Sequence, residues 1–431
     1  MQAQGMAQRR YLMAQFSSTH RRDSPTTSSV LMHPFDDEIQ SELDALRAAG
    51  LHRELRRVES PQGPHILFGG KPCLNFSSND YLGLAQHPAL REAVVRSATD
   101  WGAGAGASRL VCGSLSPHHD LEEELAAFKG TQAALAFSTG YAAAVGTVTA
   151  LVGKNDVVIV DKLVHASCVD GARLSGAKLR VFRHNDLAEL ETRLQWAAAQ
   201  RTAQRARRIL VITESVFSME GDLAPLRDIV ELKERFGAWL MVDEAHATGL
   251  YGAGRTGLVE EFQLADRIEV QFGTLGKALG AAGGYVAGSQ PLIDLLVNRA
   301  RSFVFSTAPV PAQCAAAHAA LALVKSDEGE VLRQRCWANV DSTKTAIVEA
   351  GWRLRPAQSP ILPLIIGDEK RAVQCSLTLR EQGVFVPAIR YPTVARGEAR
   401  LRLTVTTSHS PEDIQVLGRV LASIPAAFSP T

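Results

Sequence analysis

Short apolar runs recur through the middle of this chain, and segments of helical character lie between them. The runs occupy residues 133–137, 156–160, 179–182, 209–213 and 238–242. The runs are predominantly apolar instead of alternating regularly with polar residues, which is typical of parallel strands covered on both faces. Strands that alternate with helices in this way predict an α/β fold with a mostly parallel sheet wrapped by helices.

Chain length predicts more than one domain, because 431 residues exceed a typical single core. We predict a disordered extension (1–32), an N-terminal helix and hairpin segment (33–80), a large domain (81–320) and a small C-terminal domain (321–431). Residues 1–30 contain four arginines and a single acid, Asp23. That composition also suits an organelle transit peptide, but we favour a disordered extension or an upstream start codon.

Charge and cysteine usage exclude several classes of function. The formal net charge of +1 gives no reason to expect nucleic acid or an anionic membrane as a partner. The chain has no apolar run of roughly 18 residues, so we predict no membrane span. Its six cysteines are scattered without a CxxC pair. This distribution argues against a metal site and a disulfide framework, and it favours a reducing compartment, the cytoplasm.

Lys277 is the first candidate catalytic residue. It lies in the segment QFGTLGKALG (271–280), among small or apolar neighbours. Burial in such surroundings favours the neutral amine, which is the form that attacks a carbonyl carbon. The segment therefore predicts a lysine that forms a Schiff base, although a solvated turn lysine is the alternative if the segment is considered alone.

Asp243 is the second candidate, because it closes the apolar run 238–242, and His246 follows three residues later. Open α/β sheets place ligand-binding side chains at such strand ends. A carboxylate there can keep a pyridine nitrogen protonated, so that the ring withdraws electrons. Together with Lys277, Asp243 supplies the pair of groups that pyridoxal 5'-phosphate (PLP) requires. Taken alone, Asp243 is also compatible with a helix cap or a turn.

A phosphate site is predicted where the run 133–137 ends. Ser138, Thr139 and Gly140 precede an alanine-rich helical segment. The first turn of a helix offers unpaired backbone N–H groups, which bind phosphate well. This segment therefore supplies the phosphate contact that a PLP site needs.

A nicotinamide site is the rival interpretation. Gly102, Gly104 and Ala107 fit the dinucleotide pattern G-x-G-x-x-A. That pattern must follow a strand, whereas residues 90–100 before it have helical character. We therefore reject the nicotinamide site and expect the glycines to permit close approach of another backbone segment.

The chain resembles the α-oxoamine synthases, a family of fold-type-I PLP enzymes, over residues 43–421. Seven segments carry the resemblance: NFSSNDYLGL, GASRLVCGS, HHDLEEELA, FRHND, TESVFSMEGD, VDEAHATG and TLGKALG. The resemblance implies an α/β large domain with a seven-stranded, mostly parallel sheet, and a smaller α+β C-terminal domain. It also implies PLP as the cofactor.

The resemblance assigns catalytic roles to four residues. Lys277 would bond to the cofactor and move the substrate's α-proton. Asp243 would pair with the ring nitrogen, and His246 would hydrogen-bond the phenolic oxygen of the ring. His165 would stack on the ring face and hold the substrate in a productive orientation.

Binding roles follow from the same resemblance. The residues implied in phosphate or other cofactor contacts are Gly140, Tyr141, Ser218 and Thr274. Arg402 would grip the carboxylate of the amino acid. Arg53 and Thr393 match positions that contact the acyl substrate. One departure is Ala144, where relatives often have Asn, which predicts the loss of one polar contact with the cofactor.

The family reaction is a decarboxylating condensation of an amino acid with an acyl thioester. The segment RHND (183–186) favours members that use L-alanine and a pimeloyl thioester of coenzyme A or acyl carrier protein. Glycine with acetyl-CoA is the alternative substrate pair. The family also implies a homodimer with active sites at the interface, where Ser306 and Thr307 would reach the partner's phosphate. A non-catalytic protein is disfavoured, because all four catalytic residues are present.

Overall fold

The computed structural model describes residues 34–424, and the predicted extension at 1–32 lies outside the described residues. The chain divides into two compact units, the first ending at Glu54 and the second beginning at Leu55. The described part of the first unit contains one helix, α1 (Pro34–Ala48). No residue of α1 is buried within the chain.

The second unit contains the remaining helices and strands of the described chain. Its strands are β1 (His65–Phe68), β2 (Lys71–Asn75), β3 (Ala133–Phe137), β4 (Val157–Asp161), β5 (Lys178–Phe182), β6 (Ile209–Glu214), β7 (Trp239–Asp243), β8 (Val270–Thr274), β9 (Gly284–Gly288), β10 (Ile361–Gly367), β11 (Val384–Phe385), β12 (Ala388–Ile389) and β13 (Ala399–Thr404). Its α-helices are α2 (Pro88–Trp101), α3 (Ser116–Lys129), α4 (Gly140–Leu151), α5 (Ala166–Leu174), α6 (Leu187–Thr202), α7 (Leu226–Arg235), α8 (Leu258–Glu261), α9 (Gln290–Arg299), α10 (Arg301–Val304), α11 (Pro311–Lys325), α12 (Asp327–Glu349), α13 (Glu369–Glu381) and α14 (Pro411–Ser423).

The central sheet has seven strands in the order β3-β9-β8-β7-β6-β4-β5, which confirms the predicted fold class. Strands β4 to β8 pair in parallel, whereas β9 runs antiparallel to both β3 and β8. Parallel neighbours need a long crossover, but antiparallel neighbours can be joined by a short link. The link between β8 and β9 is short and contains Lys277.

Both faces of the central sheet are buried, as the apolar runs predict. Every residue of β4 and β6 is buried. Successive side chains of a strand point to opposite faces. Accordingly, Val157 and Ile159 join the core on one face, and Val158 and Val160 join the core on the other. Helices α4 and α5 contribute to the second of these cores.

A third core lies in the C-terminal part of the chain. The sheet β10-β13-β12 packs there with α13 and α14. A further small sheet joins the hairpin β1–β2 to β11, so this hairpin is tied to the C-terminal part. Helix α11 runs through the predicted boundary near residue 320, and we retain the division into a large and a small domain as a proposal.

Features that would indicate a membrane span or a metal site are absent from residues 34–424. No helix in this range combines the length and the apolar character that a bilayer crossing requires. The same range contains no cluster of three or more His, Cys, Asp or Glu side chains arranged to hold a metal ion. All six cysteines are free, and Cys112 is the exposed one among them.

Candidate active site

The carboxyl ends of β6, β7 and β8 carry the central acidic and basic groups of the site. Asp243 is the last residue of β7, and Lys277 follows β8. Asp243 is 6% exposed, and its Oδ1 accepts a hydrogen bond of 2.9 Å from the amide of Ala245. Burial raises the pKa of Asp243, while the positive charge of Lys277 opposes that shift. The structure therefore places the predicted acid and the predicted amine within electrostatic reach of each other.

Lys277 contacts His246 directly. Its Nζ lies 2.8 Å from Nε2 of the imidazole. Burial lowers the pKa of Lys277 to about 8, although the carboxyls of Asp243 and Glu214 oppose the shift. A substantial share of the amine is therefore neutral near neutral pH, as a Schiff-base lysine requires.

His246 connects Lys277 to Tyr81. The Nδ1 atom of His246 lies 2.6 Å from the hydroxyl of Tyr81, which is fully buried. Burial and the charge of Lys277 hold the pKa of His246 well below its usual value. Burial also raises the pKa of Tyr81 to about 12. The imidazole is therefore neutral, with one nitrogen donating and the other accepting.

His165 is held at the start of α5. As the N-cap residue, it accepts a hydrogen bond of 3.3 Å from the amide of Ser167 through Nδ1. The same nitrogen lies 2.8 Å from the hydroxyl of Ser167. Burial lowers the pKa of His165. These contacts fix the plane of a neutral ring, which is what stacking on a flat cofactor would need.

The predicted phosphate site lies at the N-terminus of α4. Thr139 caps this helix by accepting a hydrogen bond of 3.0 Å from the amide of Ala142. The first turn contains no acidic residue. A Cβ atom at Gly284 would lie 2.6 Å from the Cα atom of Gly140, so only glycine lets β9 approach the helix start this closely. An uncrowded helix N-terminus of this kind suits an anion.

Thr274, predicted to bind phosphate through its hydroxyl, and Tyr141, predicted to bind it through its amide, have side chains with partners within the chain. The hydroxyl of Thr274 donates to the carbonyl of Gly283 at 2.9 Å. The hydroxyl of Tyr141 donates to Asp170 at 2.9 Å, and the Tyr141 ring is about half exposed. The side chain of Ala144 is fully buried in the core beside α5.

A hydrogen bond joins Arg402, on β13, to Ser218, which follows β6. Nε of Arg402 donates to the carbonyl of Ser218 at 2.7 Å. Nη1 of Arg402 donates to Asn79 at 3.1 Å and to Thr404 at 3.0 Å. Arg402 is 6% exposed, so these contacts hold its guanidinium in one position. The amide of Ser218 in turn donates to Oε2 of Glu214 at 3.1 Å.

Arg53 and Thr393 are the remaining predicted substrate residues. Arg53 belongs to the first unit and is exposed. Thr393 lies on an exposed turn directly after the cis peptide Tyr391–Pro392, and its amide donates to the carbonyl of Arg390 at 3.0 Å. Their roles toward the acyl substrate remain predictions.

Sequence reasoning assigned no role to two residues of the site, Tyr81 and Glu214. Both lie in segments that carry the family resemblance, NFSSNDYLGL and TESVFSMEGD. Their spacing from Lys277 and Asp243 gives no signal of contact, because Tyr81 meets His246 across 165 positions of the chain. The available signals in the sequence were the tyrosine in the first of these segments and, in the second, a glutamate that directly follows a predicted strand.

Comparisons with known proteins agree with the geometry. The family model of aminotransferases class I and II matches residues 71–421. The chain is 47% identical over 386 residues to an 8-amino-7-oxononanoate synthase of Geobacter sulfurreducens, covering 90% of this chain and 97% of that protein. It is also 47% identical to the 8-amino-7-oxononanoate synthase of Methylococcus capsulatus, covering 89% and 97%.

Solved structures show the same fold. A high-resolution structure of SPT with PLP as an internal aldimine is similar with a TM-score of 0.82 at 28% identity, covering 90% of this chain and 96% of that chain. The serine palmitoyltransferase of Sphingomonas wittichii gives a TM-score of 0.82 at 30% identity, covering 90% and 97%. The 8-amino-7-oxononanoate synthase of Francisella tularensis gives 0.69 at 26% identity, covering 81% and 97%.

The residues present fit PLP. The fit has three parts, each visible in the structure: an amine whose pKa is about 8, a buried strand-end carboxylate, and a helix N-terminus that a Cβ atom at Gly284 would obstruct. These features match the aldehyde, the ring nitrogen and the phosphate of the cofactor.

Proposed function

The chain belongs to the aminotransferase class I and II family, and on that premise we propose that it condenses L-alanine with a pimeloyl thioester. The products are 8-amino-7-oxononanoate, CO2 and the free thiol, as in biotin biosynthesis. The observation that carries this proposal is the identity of 42% and 47% to relatives named 8-amino-7-oxononanoate synthase, over 88% and 90% of the chain.

PLP is the cofactor, and when bound it withdraws electrons from the α-carbon of the amino acid joined to it. Lys277 is placed to act as the base, because its pKa of about 8 leaves part of the amine free of its proton near neutral pH. His246, 2.8 Å away, positions the amine. Its imidazole would also hydrogen-bond the phenolic oxygen of the cofactor ring. General-base catalysis of this kind contributes on the order of a hundredfold or more.

Asp243 would stabilise a proton on the ring nitrogen and so keep the ring electron-poor. Its burial would strengthen that interaction, since little water competes for the carboxylate. His165 would orient the ring from one face, because the cap of α5 fixes its imidazole. Ser218 and Thr274, with the amides of Gly140 and Tyr141, complete the proposed cofactor contacts.

Substrate binding is assigned to residues on the C-terminal side of the site. The buried guanidinium of Arg402 is held by Ser218 and Asn79 and is suited to a carboxylate. Arg53 and Thr393 are proposed to contact the acyl chain or its carrier. The pimeloyl group ends in a second carboxylate, so cationic and hydroxyl groups are appropriate partners.

The proposed reaction is tested by measuring thiol release from two substrate pairs. L-Alanine with pimeloyl-CoA or pimeloyl acyl carrier protein should give turnover and the expected amino-oxo acid in mass spectrometry. Glycine with acetyl-CoA is the alternative pair. Turnover with the second pair alone would assign the chain to the glycine-dependent branch of the family.

A homodimer with shared active sites is the assembly we propose. Support comes from exposed apolar side chains near the expected interface, Leu110, Val111 and Phe305, which are 54%, 78% and 71% exposed. Thr307 forms an isolated antiparallel bridge with Ser108 beside them. Light scattering should give a dimer mass, and inactive Lys277→Ala subunits mixed with Thr307→Ala subunits should regain activity. A monomer with full activity would exclude this assembly.

A further inference from the structure

Glu214 is a buried acid at the site to which no role has been assigned above. It is the last residue of β6, and it lies directly across from Asp243 in the register of β6 and β7. Residues paired in this way project from the same face of a sheet. Two carboxyl groups are therefore held side by side at the end of the central sheet.

The environment of Glu214 does not suit an anion. The residue is 2% exposed, and its Oε1 atom has no hydrogen-bond partner among the described residues. No lysine, arginine or histidine forms an ion pair with it in residues 34–424, whereas the neighbouring Glu244 contacts Lys129 at 2.5 Å. An isolated buried anion costs several kcal/mol, and proteins avoid that cost by binding a proton.

The groups around the two acids favour the charged form of Asp243 and the neutral form of Glu214. Asp243 receives a backbone hydrogen bond from Ala245 and the attraction of Lys277. Burial and the negative charge of Asp243 raise the pKa of Glu214 well above its usual value, and the charge of Lys277 and the backbone amides of Ser218 and His165 oppose this only in part. The thiol of Cys168, on α5, is buried beside both carboxyls and stays protonated because its own pKa is raised well above its usual value.

Glu214 also holds two segments of the site in place. Its Oε2 atom accepts from the amide of Ser218, whose carbonyl accepts from Arg402. The amide of His165 acts on the same carboxyl. Glu214 therefore lies where the His165 segment, the Ser218 segment and Asp243 meet.

We propose that Glu214 is a positioning residue that works as a neutral carboxylic acid, which anchors the Ser218 segment and leaves Asp243 as the single anion of the pair. A neutral neighbour leaves one negative charge for the ring nitrogen and Lys277. A second anion would repel the first and would bind Lys277 more tightly in its protonated form. The identity of the cofactor in this inference rests on the proposed function, but the charge state of Glu214 does not.

The first test compares two isosteric changes in cofactor-free protein by thermal unfolding at pH 7.5. Glu214→Gln keeps the shape of a neutral acid and should shift Tm by no more than about 2 °C. The matched control Glu244→Gln removes the anion that pairs with buried Lys129, and it should lower Tm by at least roughly 5 °C. A loss of Tm in Glu214→Gln as large as in Glu244→Gln, or larger than about 5 °C from the wild type, would show that Glu214 is an anion.

The second test follows the visible absorbance of PLP bound to Lys277 as a function of pH. With a neutral Glu214, the Glu214→Gln midpoint should stay within about 0.3 pH unit of the wild type. If Glu214 carried a charge, its removal would lower the midpoint by about one unit or more, because a nearby anion favours the protonated linkage. A drop of that size would overturn the proposal.

The third test concerns the anchoring role. Glu214→Ala removes the acceptor for the amide of Ser218 and should weaken PLP binding roughly tenfold. Glu214→Gln retains an acceptor oxygen and should restore binding to within about twofold of the wild type. Wild-type PLP affinity in folded Glu214→Ala would contradict the anchoring role. If Glu214→Ala does not fold, failure of Glu214→Gln to bind PLP would contradict it instead.

Discussion

Nζ of Lys277 lies 2.8 Å from Nε2 of His246, and burial lowers the pKa of both groups. The imidazole therefore offers a neutral partner to an amine that must lose its own proton to react. The opposite nitrogen of His246 contacts Tyr81 at 2.6 Å, so the position of the imidazole depends on a residue far away in the sequence.

Replacing Tyr81 with Phe should impair the site without disrupting the core. The change removes the hydroxyl that contacts His246 and leaves a buried nitrogen without its partner, which costs about 1–3 kcal/mol. We expect kcat/KM for L-alanine to fall roughly tenfold or more, as measured by thiol release. Tyr251→Phe is the matched control, because its hydroxyl contacts the carbonyl of Gln358 away from the site. Equal activity of Tyr81→Phe, Tyr251→Phe and the wild type would show that the hydroxyl of Tyr81 has no role at the site.

Arg402→Lys should act on substrate binding. Lysine keeps the charge but loses the planar guanidinium that contacts Ser218, Asn79 and Thr404. We expect KM for L-alanine to rise at least about tenfold in steady-state kinetics, while KM for the thioester changes little. The reverse pattern, with only the thioester affected, would show that Arg402 serves the acyl substrate instead.

His184 should make stability depend on alkaline pH. Burial disfavours its charged form, but Asp161 and Asp222, at 3.1 and 2.8 Å, outweigh burial and raise the pKa of His184 to about 10. A raised folded-state pKa stabilises the protein fully below the unfolded-state pKa, about 6.5. The stabilisation is then lost as pH rises toward 10.

This dependence is measured by thermal unfolding between pH 6 and pH 10.5. The wild-type Tm should fall over the upper part of that range, and His184→Gln should have a lower Tm at pH 7 with a shallower fall. His87→Gln is the control, because it alters a histidine that contacts Glu328 far from this cluster. A slope in His184→Gln identical to that of the wild type would mean that another group controls the effect.

The strands and the chemistry of Lys277 and Asp243 could be predicted because both depend on local sequence. Apolar runs mark strands buried on two faces, and five of the seven strands of the central sheet, β3 to β7, lie within a residue or two of the predicted runs. The small or apolar neighbours of Lys277 predict a desolvated amine, and burial of this lysine lowers its pKa to about 8. Short-range patterns carry this information because the period of a strand and the burial of a short segment are local properties.

The partners of the catalytic residues could not be predicted in the same way. Glu214 meets Asp243 only because of the register between β6 and β7, and Tyr81 meets His246 through tertiary packing. Neither relation has a periodicity in the sequence. The antiparallel direction of β9 is likewise a consequence of the short link after β8, which the glycines at 283 and 284 permit.

The central claim is that Lys277 removes the α-proton of L-alanine while Asp243 keeps the ring nitrogen of PLP protonated. Exchange of the α-hydrogen of L-alanine in D2O, followed by NMR without any thioester, isolates that step. We expect exchange in the wild type, none above background in Lys277→Ala, and a decrease of at least about a hundredfold in Asp243→Asn. Wild-type exchange rates in either variant would contradict the account.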